Sequence, residues 1–445
     1  AAPPRAGTLL SMTALADTSQ DEQEVLLANL QRPELFPHPV EQFELLQTHI
    51  SWVLLTGPFA YKFKKPLDLG FLNFSTLALR KHYCEEELRL NRRFSDELYV
   101  DVVSIGGDIE QPTLNTTAPA IEYAVKMKQF PQSAQLDEVL AHGQLSREHI
   151  DKLADTIATF HSRAAIANEQ TPYGSPDTVI NPIRENFAHI RRLHQLVEYA
   201  PRLRVLENWC ETACKDNWAC IEQRKQQGFV REGHGDMHLR NMALLHDQVV
   251  LFDCLEFNPE LRWLDVINDL AFLLMDLDDR KQTYYAWRCL NRYLELSGDY
   301  AGLKLLKLYK VYRALVRAKV DAIRLDQPHL TDEEQHKTIA DFSSYLELAE
   351  SYIKPVRPVL MITRGLSGSG KTTQTQALLE TLGAIRLRSD VERKRLYRDQ
   401  TELYSPTITQ AVYQHLLSQA RQCLAAGYHV IVDATFISMD FIRPF

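Results

Sequence analysis

The chain has 445 residues, of which 45% are hydrophobic and 24% charged, with a net charge of −8 at pH 7, a length that predicts two or three domains with real cores. The acidic balance argues against a protein that coats nucleic acid or an anionic membrane, local basic patches aside, and no apolar run approaches the ~20 residues of a membrane span. Seven cysteines occur singly, none in CxxC spacing, and Val25 to Leu30 is too short and follows acidic residues too closely for a secretory pattern, so the expected setting is the reduced cytoplasm.

Residues 1–48 read as an N-terminal extension packed on the first domain. An Ala/Pro-rich start, whose first dozen residues are expected to be mobile, gives way to a helix from about Gln20 to Leu30, broken by Pro33, Pro37 and Pro39. From His49 the pattern turns to strands. Ser51 to Thr56 and Phe59 to Lys65 are apolar, β-rich and separated by Gly57-Pro58, which predicts a hairpin with Lys62 and Lys64 on one face and Tyr61 and Phe63 on the other. The run Phe59-Ala60-Tyr61-Lys62 resembles the Val-Ala-Ile-Lys strand of kinases, which implies Lys62 as the lysine on the α/β-phosphates of ATP, with Lys64 as the fallback. A solvated basic edge strand is the plainer alternative. Phe74 to Phe94 predicts a helix with Tyr83, Glu87, Leu90 and Phe94 in one stripe. A Glu on an apolar stripe needs a partner, and in a kinase-like lobe that partner is the strand lysine. Glu87 is therefore paired with Lys62, with Glu85 and Glu86 as neighbouring candidates. Val100 to Ile105 and Ile121 to Lys128 predict two more strands, completing an N-lobe over 49–128. Met127 to Phe130, leading into Pro131, is where kinase-like folds place the hinge whose backbone meets adenine.

Residues 129–353 read as a helical C-lobe. Ile150 to Ala165 carries Leu153, Ile157, Phe160 and His161 on one face, and the helices of 182–226 bring Cys210, Cys214 and Cys220, expected to serve core packing. Then comes Val230 to Phe257, with His234-Gly235-Asp236, Asn241 five residues on, and Asp253 in an apolar run. That is the spacing of a protein-kinase-type catalytic loop, in which one Asp orients and deprotonates an acceptor hydroxyl while an Asn and a second Asp hold metal ions on the ATP phosphates. Gly233 and Gly235 allow a sharp turn, Met242 to Leu245 and Val249 to Phe252 predict two short strands, and His246-Asp247 is the turn between them. A hairpin with solvent-facing acids explains neither the spacing nor the order. The run HGDMHLRN followed by LFDCLEF resembles the aminoglycoside phosphotransferase and choline kinase branch of the kinase-like fold, which carries His-Gly-Asp and often a second His where His238 stands. That branch commonly has an acid two residues after the metal-binding Asp. Glu256 is three beyond Asp253 and is not assigned to metal. Trp263 to Leu277 is a strongly apolar stretch whose Asp265 and Asp269 are expected to receive backbone N–H groups or brace the catalytic loop. Arg313, Arg317 and Lys319 are expected to face solvent, with a substrate cleft as the alternative.

Lys354 to Pro358 reads as a semi-rigid linker with two prolines. Beyond it, over 358–445, the pattern becomes strand, Gly-rich loop and helix. Gly365, Gly370, Lys371 and Thr372 satisfy G-x-x-x-x-G-K-[ST]. The backbone of Gly365, Ser367, Gly368, Ser369 and Gly370 wraps phosphates, with Thr373 behind it. Lys371 reaches the β/γ oxygens and Thr372 ligates Mg²⁺. Gly383 ends the helix, Ala384 to Leu387 is a strand leading to Ser389-Asp390, and a helix from Thr407 to Ala426 precedes a strand from Tyr428 to Val432 and Asp433-Ala434-Thr435. Ser389, Asp390 and Arg393, with the Val-Asp-Ala-Thr run, resemble small P-loop kinases of the polynucleotide, gluconate and zeta-toxin type. The resemblance implies that Asp390 engages the acceptor hydroxyl and that Asp433 is a Walker-B-like acid near Mg²⁺; a strand-end cap is the alternative for Asp433. By the same resemblance a lid with arginines, a further strand and an adenine-binding loop are expected after Phe445, so this half is expected to be incomplete.

Taken in order, these modules resemble the bacterial proteins described as bifunctional aminoglycoside phosphotransferase/ATP-binding proteins. The implied fold class is an α+β bilobal protein-kinase-like domain followed by an α/β P-loop NTPase domain with a parallel sheet. The implied activity is ATP- and Mg²⁺-dependent transfer of a phosphoryl group to a hydroxyl of an unidentified small molecule, with no membrane partner and with each module binding its own nucleotide. Two rivals stay open. One is a nucleotide-gated binding or switch protein with slow hydrolysis. The other is phosphorylation of a nucleic-acid end by the P-loop module, which Arg393, Lys394, Arg395 and Arg398 favour and the overall acidity opposes.

Overall fold

The computed structural model describes residues 19–445 apart from Phe71, Ala118, 327–329 and Ser367. The opening dozen residues and the P-loop Ser367 singled out above thus lie outside the described residues. The chain forms two compact units, one comprising the residues up to Phe130 with Glu256–Asn258, the other Pro131–Leu255 with Pro259–Phe445.

In the first unit a helix at Gln20–Asn29 starts at a Ser19/Glu22 capping box, which satisfies two otherwise orphaned N–H groups. Its Leu26 and Leu27, with Leu30 just beyond, are buried against Trp52, Leu54, Tyr61, Phe63, Val103 and Ile105. The sheet under it has six strands in the order β1-β2-β3-β6-β4-β5: β1 (Glu44–Gln47), β2 (Ser51–Leu55), β3 (Phe59–Lys64), β4 (Tyr99–Gly107), β5 (Pro112–Leu114) and β6 (Glu122–Lys128). All its pairings are antiparallel. Strand β1 falls inside the stretch read from sequence as extension. The side chain of Thr48 accepts from the N–H of Ser51, and the N–H of Thr48 donates to the carbonyl of Ser51, a local turn that hydrophobic patterning does not reveal. On β3, Tyr61 and Phe63 enter the core, as alternation requires. A helix at Leu77–Ser95, capped by Thr76, buries Arg80, Cys84, Glu87, Leu90 and Asn91. Its buried stripe is therefore rotated from the expected one, with Tyr83 and Phe94 only half-buried.

The second unit is mainly helical. Helices at Pro176–Ile190, Ala200–Asp216, Val266–Asp279, Leu303–Leu325 and Asp332–Ile353 enclose a core that includes Phe187, Leu206, Cys210, Cys214, Phe272, Leu315 and Phe342. Two small antiparallel pairs interrupt them: β7 (Val230–Glu232), β8 (Met242–Leu245), β9 (Gln248–Leu251) and β10 (Trp263–Asp265) pair as β7 with β10 and β8 with β9. His246 and Asp247 take positive φ values of 49° and 61° at the β8–β9 turn, the geometry of a tight hairpin.

The same unit carries β11 (Leu360–Ile362), β12 (Ala384–Arg388) and β13 (His429–Asp433), a parallel sheet in the order β11-β13-β12, with the P-loop helix at Lys371–Leu382. This α/β segment does not hang from its linker. Its β12 edge lies on the helix Thr283–Ser297, whose buried Asn291 donates to the carbonyl of Ala384 at 2.9 Å and accepts from the N–H of Arg386 at 2.7 Å, as a neighbouring strand would. Arg386 and Arg388 pair with Glu295, and Arg288 bridges Asp151 and Glu380. Among the described residues no helix is long and apolar enough to cross a membrane.

Candidate functional site

In the first unit, Glu87 receives Lys62 at 2.9 Å on one carboxylate oxygen and Lys64 at 2.7 Å on the other. Lys64 also pairs with Glu256. Alternation along β3 places both lysines on the face opposite Tyr61 and Phe63, where the helix Leu77–Ser95 supplies Glu87. Lys62 keeps 13% of its side chain exposed while Lys64 and Glu87 are fully buried. Burial alone would raise the Glu87 carboxyl, but the two ammonium groups outweigh it and hold it at about 2. Lys64 is shifted the other way: burial disfavours its charge, and Glu256 and Glu87 together keep it protonated. Glu256 thus balances a buried lysine, and the accessible cation of the set is Lys62.

In the second unit, the segment between β7 and β8 is the loop His234 to Asn241. Asp236 sits at its turn, reached through Gly235 at φ 83°. Asn241 donates from Nδ2 to the Asp236 carbonyl at 3.0 Å and to its Oδ2 at 2.9 Å, and His238 Nε2 lies 3.3 Å from the same oxygen. Burial would raise the Asp236 carboxyl, yet His238, in contact with it, and the guanidinium of Arg317 hold it below the usual range. It is therefore ionised at any physiological pH. Asp253 follows β9 at φ 60°, and its flanks are tied to the loop, since Phe252 N–H donates to Asn241 O and Leu255 N–H to His234 O. His234 accepts from the Asp236 N–H at Nδ1 and contacts the Phe252 carbonyl through Nε2 at 2.9 Å, which requires a neutral ring with its proton on Nε2. Burial pushes its pKa down, in agreement.

Asp269 fixes this loop from below. Its carboxylate accepts the N–H groups of His234 at 2.7 Å and Gly235 at 3.0 Å, with His161 Nε2 at 3.3 Å. Burial would raise it, but these partners hold it at about 2. Asp276 adds a further anchor by accepting from Leu239 N–H. Asp265 does different work: it caps the helix Val266–Asp279 through Ile267 N–H and pairs with Arg224.

The P-loop follows β11. Gly365, Gly368 and Gly370 take φ values of 147°, 78° and 80°, which L-residues with a Cβ rarely adopt. Lys371 turns its ammonium back to the Gly365 carbonyl at 3.0 Å. Thr372 Oγ1 donates to Asp433 Oδ2 at 2.8 Å, and Thr363 Oγ1 lies 3.4 Å from Oδ1. A hydroxyl and a carboxylate in contact at the helix start form an oxygen pair suited to a hard divalent cation, and the looped N–H groups with Lys371 suit phosphate. In register, Arg388 stands opposite Asp433, so Asp390 emerges at the same carboxyl edge of the sheet. Its carboxylate is exposed and accepts from Tyr404 OH at 3.1 Å. Thr373 is exposed one residue into the helix.

Two arginines expected in solvent are not there. Arg313, 4% exposed, donates to the Gly235 carbonyl at 3.0 Å and to Asn268. Arg317 is held near Asp236 and bonds Tyr345 OH at 3.4 Å. The readable signal was their spacing: 313, 317 and 321 fall on one face of the helix Leu303–Leu325.

Residues 360–445 match the family model of an AAA domain. Over 413 residues the chain is 30% identical to the uncharacterized protein Rv2004c of Mycobacterium tuberculosis, covering 90% of this chain and 80% of that protein. The uncharacterized protein Mb2027c of Mycobacterium bovis matches with the same figures. Solved structures similar to it include the amicoumacin kinase hAmiN in complex with AMP-PNP, Ca²⁺ and Ami, with a TM-score of 0.43 and 13% identity over 74% of this chain and 93% of that one. Another is the choline kinase LicA from Streptococcus pneumoniae, with a TM-score of 0.39 and 16% identity over 70% of this chain and 94% of that one.

Proposed function

The chain belongs to the bacterial family in which an aminoglycoside-phosphotransferase-like domain is fused to a P-loop kinase domain, and from that premise we propose that it is an ATP- and Mg²⁺-dependent phosphotransferase with two kinase-type sites. Its acceptor is a hydroxyl of a small molecule. The modules are an N-lobe over 49–128, a C-lobe over 129–353 and a P-loop domain over 358–445. The observation that carries this reading is Asp236 held against Asn241 Nδ2 at 2.9 Å in a loop anchored by Asp269.

Asp236 orients the acceptor hydroxyl and takes its proton as the oxygen attacks. Asn241 and Asp253 supply oxygen ligands for the metal on the ATP phosphates, and Lys62, steadied by Glu87, holds those phosphates. In the P-loop module, Lys371 and the N–H groups of the Gly365 to Gly370 loop hold phosphate, with Thr373 behind them. Thr372 and Asp433 hold the cation, and Asp390 engages an acceptor. ATP, when bound, supplies the phosphoryl group, and positioning and charge are left to these residues. The seven thiols, all free, favour a reduced cytoplasm as the setting.

Radiolabelled γ-phosphate transfer by Asp236→Asn tests the reading. The variant should lose roughly 10²–10⁴-fold in transfer by the first module while keeping its ATP affinity within about threefold. Full ATP turnover in Asp236→Asn combined with Lys371→Ala would overturn it.

A further inference from the structure

A cavity of about 450 Å³ opens beside the catalytic loop, with His238, Arg280, Arg317, Asp321, Ser344 and Tyr345 in its wall. His238 is the residue whose Nε2 lies 3.3 Å from Asp236, so the cavity adjoins the carboxylate assigned as base. Its volume is that of a small-molecule site, and its lining is nearly all polar. Several charges in it are already matched: Arg240 by Asp137, Arg280 by Asp276, Arg324 by Glu334. What remains is Arg317 and Lys337 facing Asp279, Asp321 and Asp341, two cations against three carboxyl groups.

Two of these groups are under-satisfied. Arg317 is largely enclosed, yet among the described residues its guanidinium makes one side-chain hydrogen bond, to Tyr345 OH at 3.4 Å. One oxygen of Asp321, Oδ2, is buried without a hydrogen-bond partner. Burial pushes the Asp321 carboxyl up to about 7 against the pull of Arg317, so at neutral pH this group both donates and accepts. A planar donor fork and a carboxyl one helical turn apart (317 and 321) on the same helix face present complementary hydrogen-bonding groups to adjacent hydroxyls.

The composition discriminates among acceptors. A quaternary ammonium is recognised by several aromatic faces, and Tyr345 is the one aromatic side chain in this wall. A polycation would meet Arg317 and Lys337 with an excess of only one carboxyl group to offset them. An apolar alcohol would leave the buried polar groups unpaired. We propose that this cavity is the acceptor pocket served by Asp236 and that it takes a neutral polyhydroxylated molecule of the sugar or cyclitol class, with Arg317 and Asp321 binding its hydroxyls. The proposal rests on the reading of Asp236 as base.

The test is transfer of labelled phosphate from ATP by the full chain to a panel of glucose, other neutral hexoses, myo-inositol, choline and kanamycin. Saturation-transfer NMR of the same compounds with the Asp236→Asn protein reads binding without turnover. Label should enter at least one neutral polyol. Arg317→Met should raise its KM at least tenfold with the KM for ATP within twofold, and Arg317→Lys should recover part of the loss. Transfer to choline or kanamycin and to no polyol, no polyol labelled or bound, or an acceptor KM indifferent to Arg317→Met would each overturn the assignment. The two readings fail differently. ATP turnover that needs Asp236 but involves no polyol removes the pocket and leaves the base. Polyol transfer that survives Asp236→Asn yet responds to Arg317→Met removes the base and leaves the pocket.

Discussion

A Cβ at Gly233 would lie 2.5 Å from Oδ2 of Asp269 and 3.0 Å from Leu264 Cδ2, and that oxygen is the one accepting the His234 N–H. Gly233→Ala should therefore displace the anchor as well as overpack the site, costing about 1–3 kcal/mol in denaturant unfolding and lowering transfer by the first module. Unchanged stability together with unchanged transfer would show that Asp269 does not set the loop. Asp321 gives a prediction in pH. Its carboxyl is raised by burial from 3.8 to about 7, so between those values the folded chain holds a proton that the unfolded chain has released. Stability from this group is then lost as pH rises through that window. The Tm of the wild type relative to that of Asp321→Asn should therefore fall between pH 4 and pH 7, the difference between the two proteins being constant below pH 4. Parallel Tm profiles would contradict the raised carboxyl.

At the scale of elements, Asn291 is the test of how the P-loop sheet is held. Its side chain satisfies the Ala384 carbonyl and Arg386 N–H on the otherwise unpaired edge of β12, and the alanine variant would leave both buried. That should cost about 1–3 kcal/mol, and amide exchange at Arg386 should accelerate while exchange in the helix Ala200–Asp216 stays unchanged. Equal protection of Arg386 in both proteins would mean the contact contributes nothing. The elements themselves were largely readable, because β3, the P-loop helix and the helix after β10 follow from alternation, glycines and apolar runs. The misses share a cause. The helix Leu77–Ser95 buries Arg80 and Asn91, with Arg80 paired to Glu122, and its stripe was misplaced because a hydrophobic pattern does not register a buried cation with a distant partner. Arg313 and Arg317 were assigned to solvent for the same reason. Glu87 was legible because a kinase-like strand already supplied its lysine. The second partner, Lys64, joined to Glu256, was not, since the pairing spans most of the first module and the catalytic segment in sequence.

For the molecule as a whole, the order of modules could be read from the chain, but the contact between the helical module and the P-loop sheet could not. It depends on ion pairs between residues about ninety positions apart, such as Arg386 with Glu295 and Arg288 with Glu380. Arg386 also donates to the carbonyl of Thr372 at 3.2 Å, so one guanidinium joins a helix of the kinase-like module to the first turn behind the P-loop. Such a bridge makes coupling between the nucleotide sites possible; if present, filling either site changes the affinity of the other by one common factor. Glu295→Gln should reduce that factor toward unity, and identical coupling in the variant would exclude this path. The central claim, two separate ATP sites in one chain, is tested most directly by isothermal titration of ATP·Mg into the wild type, Lys371→Ala and Asp253→Ala. Two equivalents are predicted in the wild type, one of them lost in Lys371→Ala, the other weakened in Asp253→Ala. A single equivalent in the wild type that disappears in Lys371→Ala would contradict the claim and remove nucleotide binding from the kinase-like module.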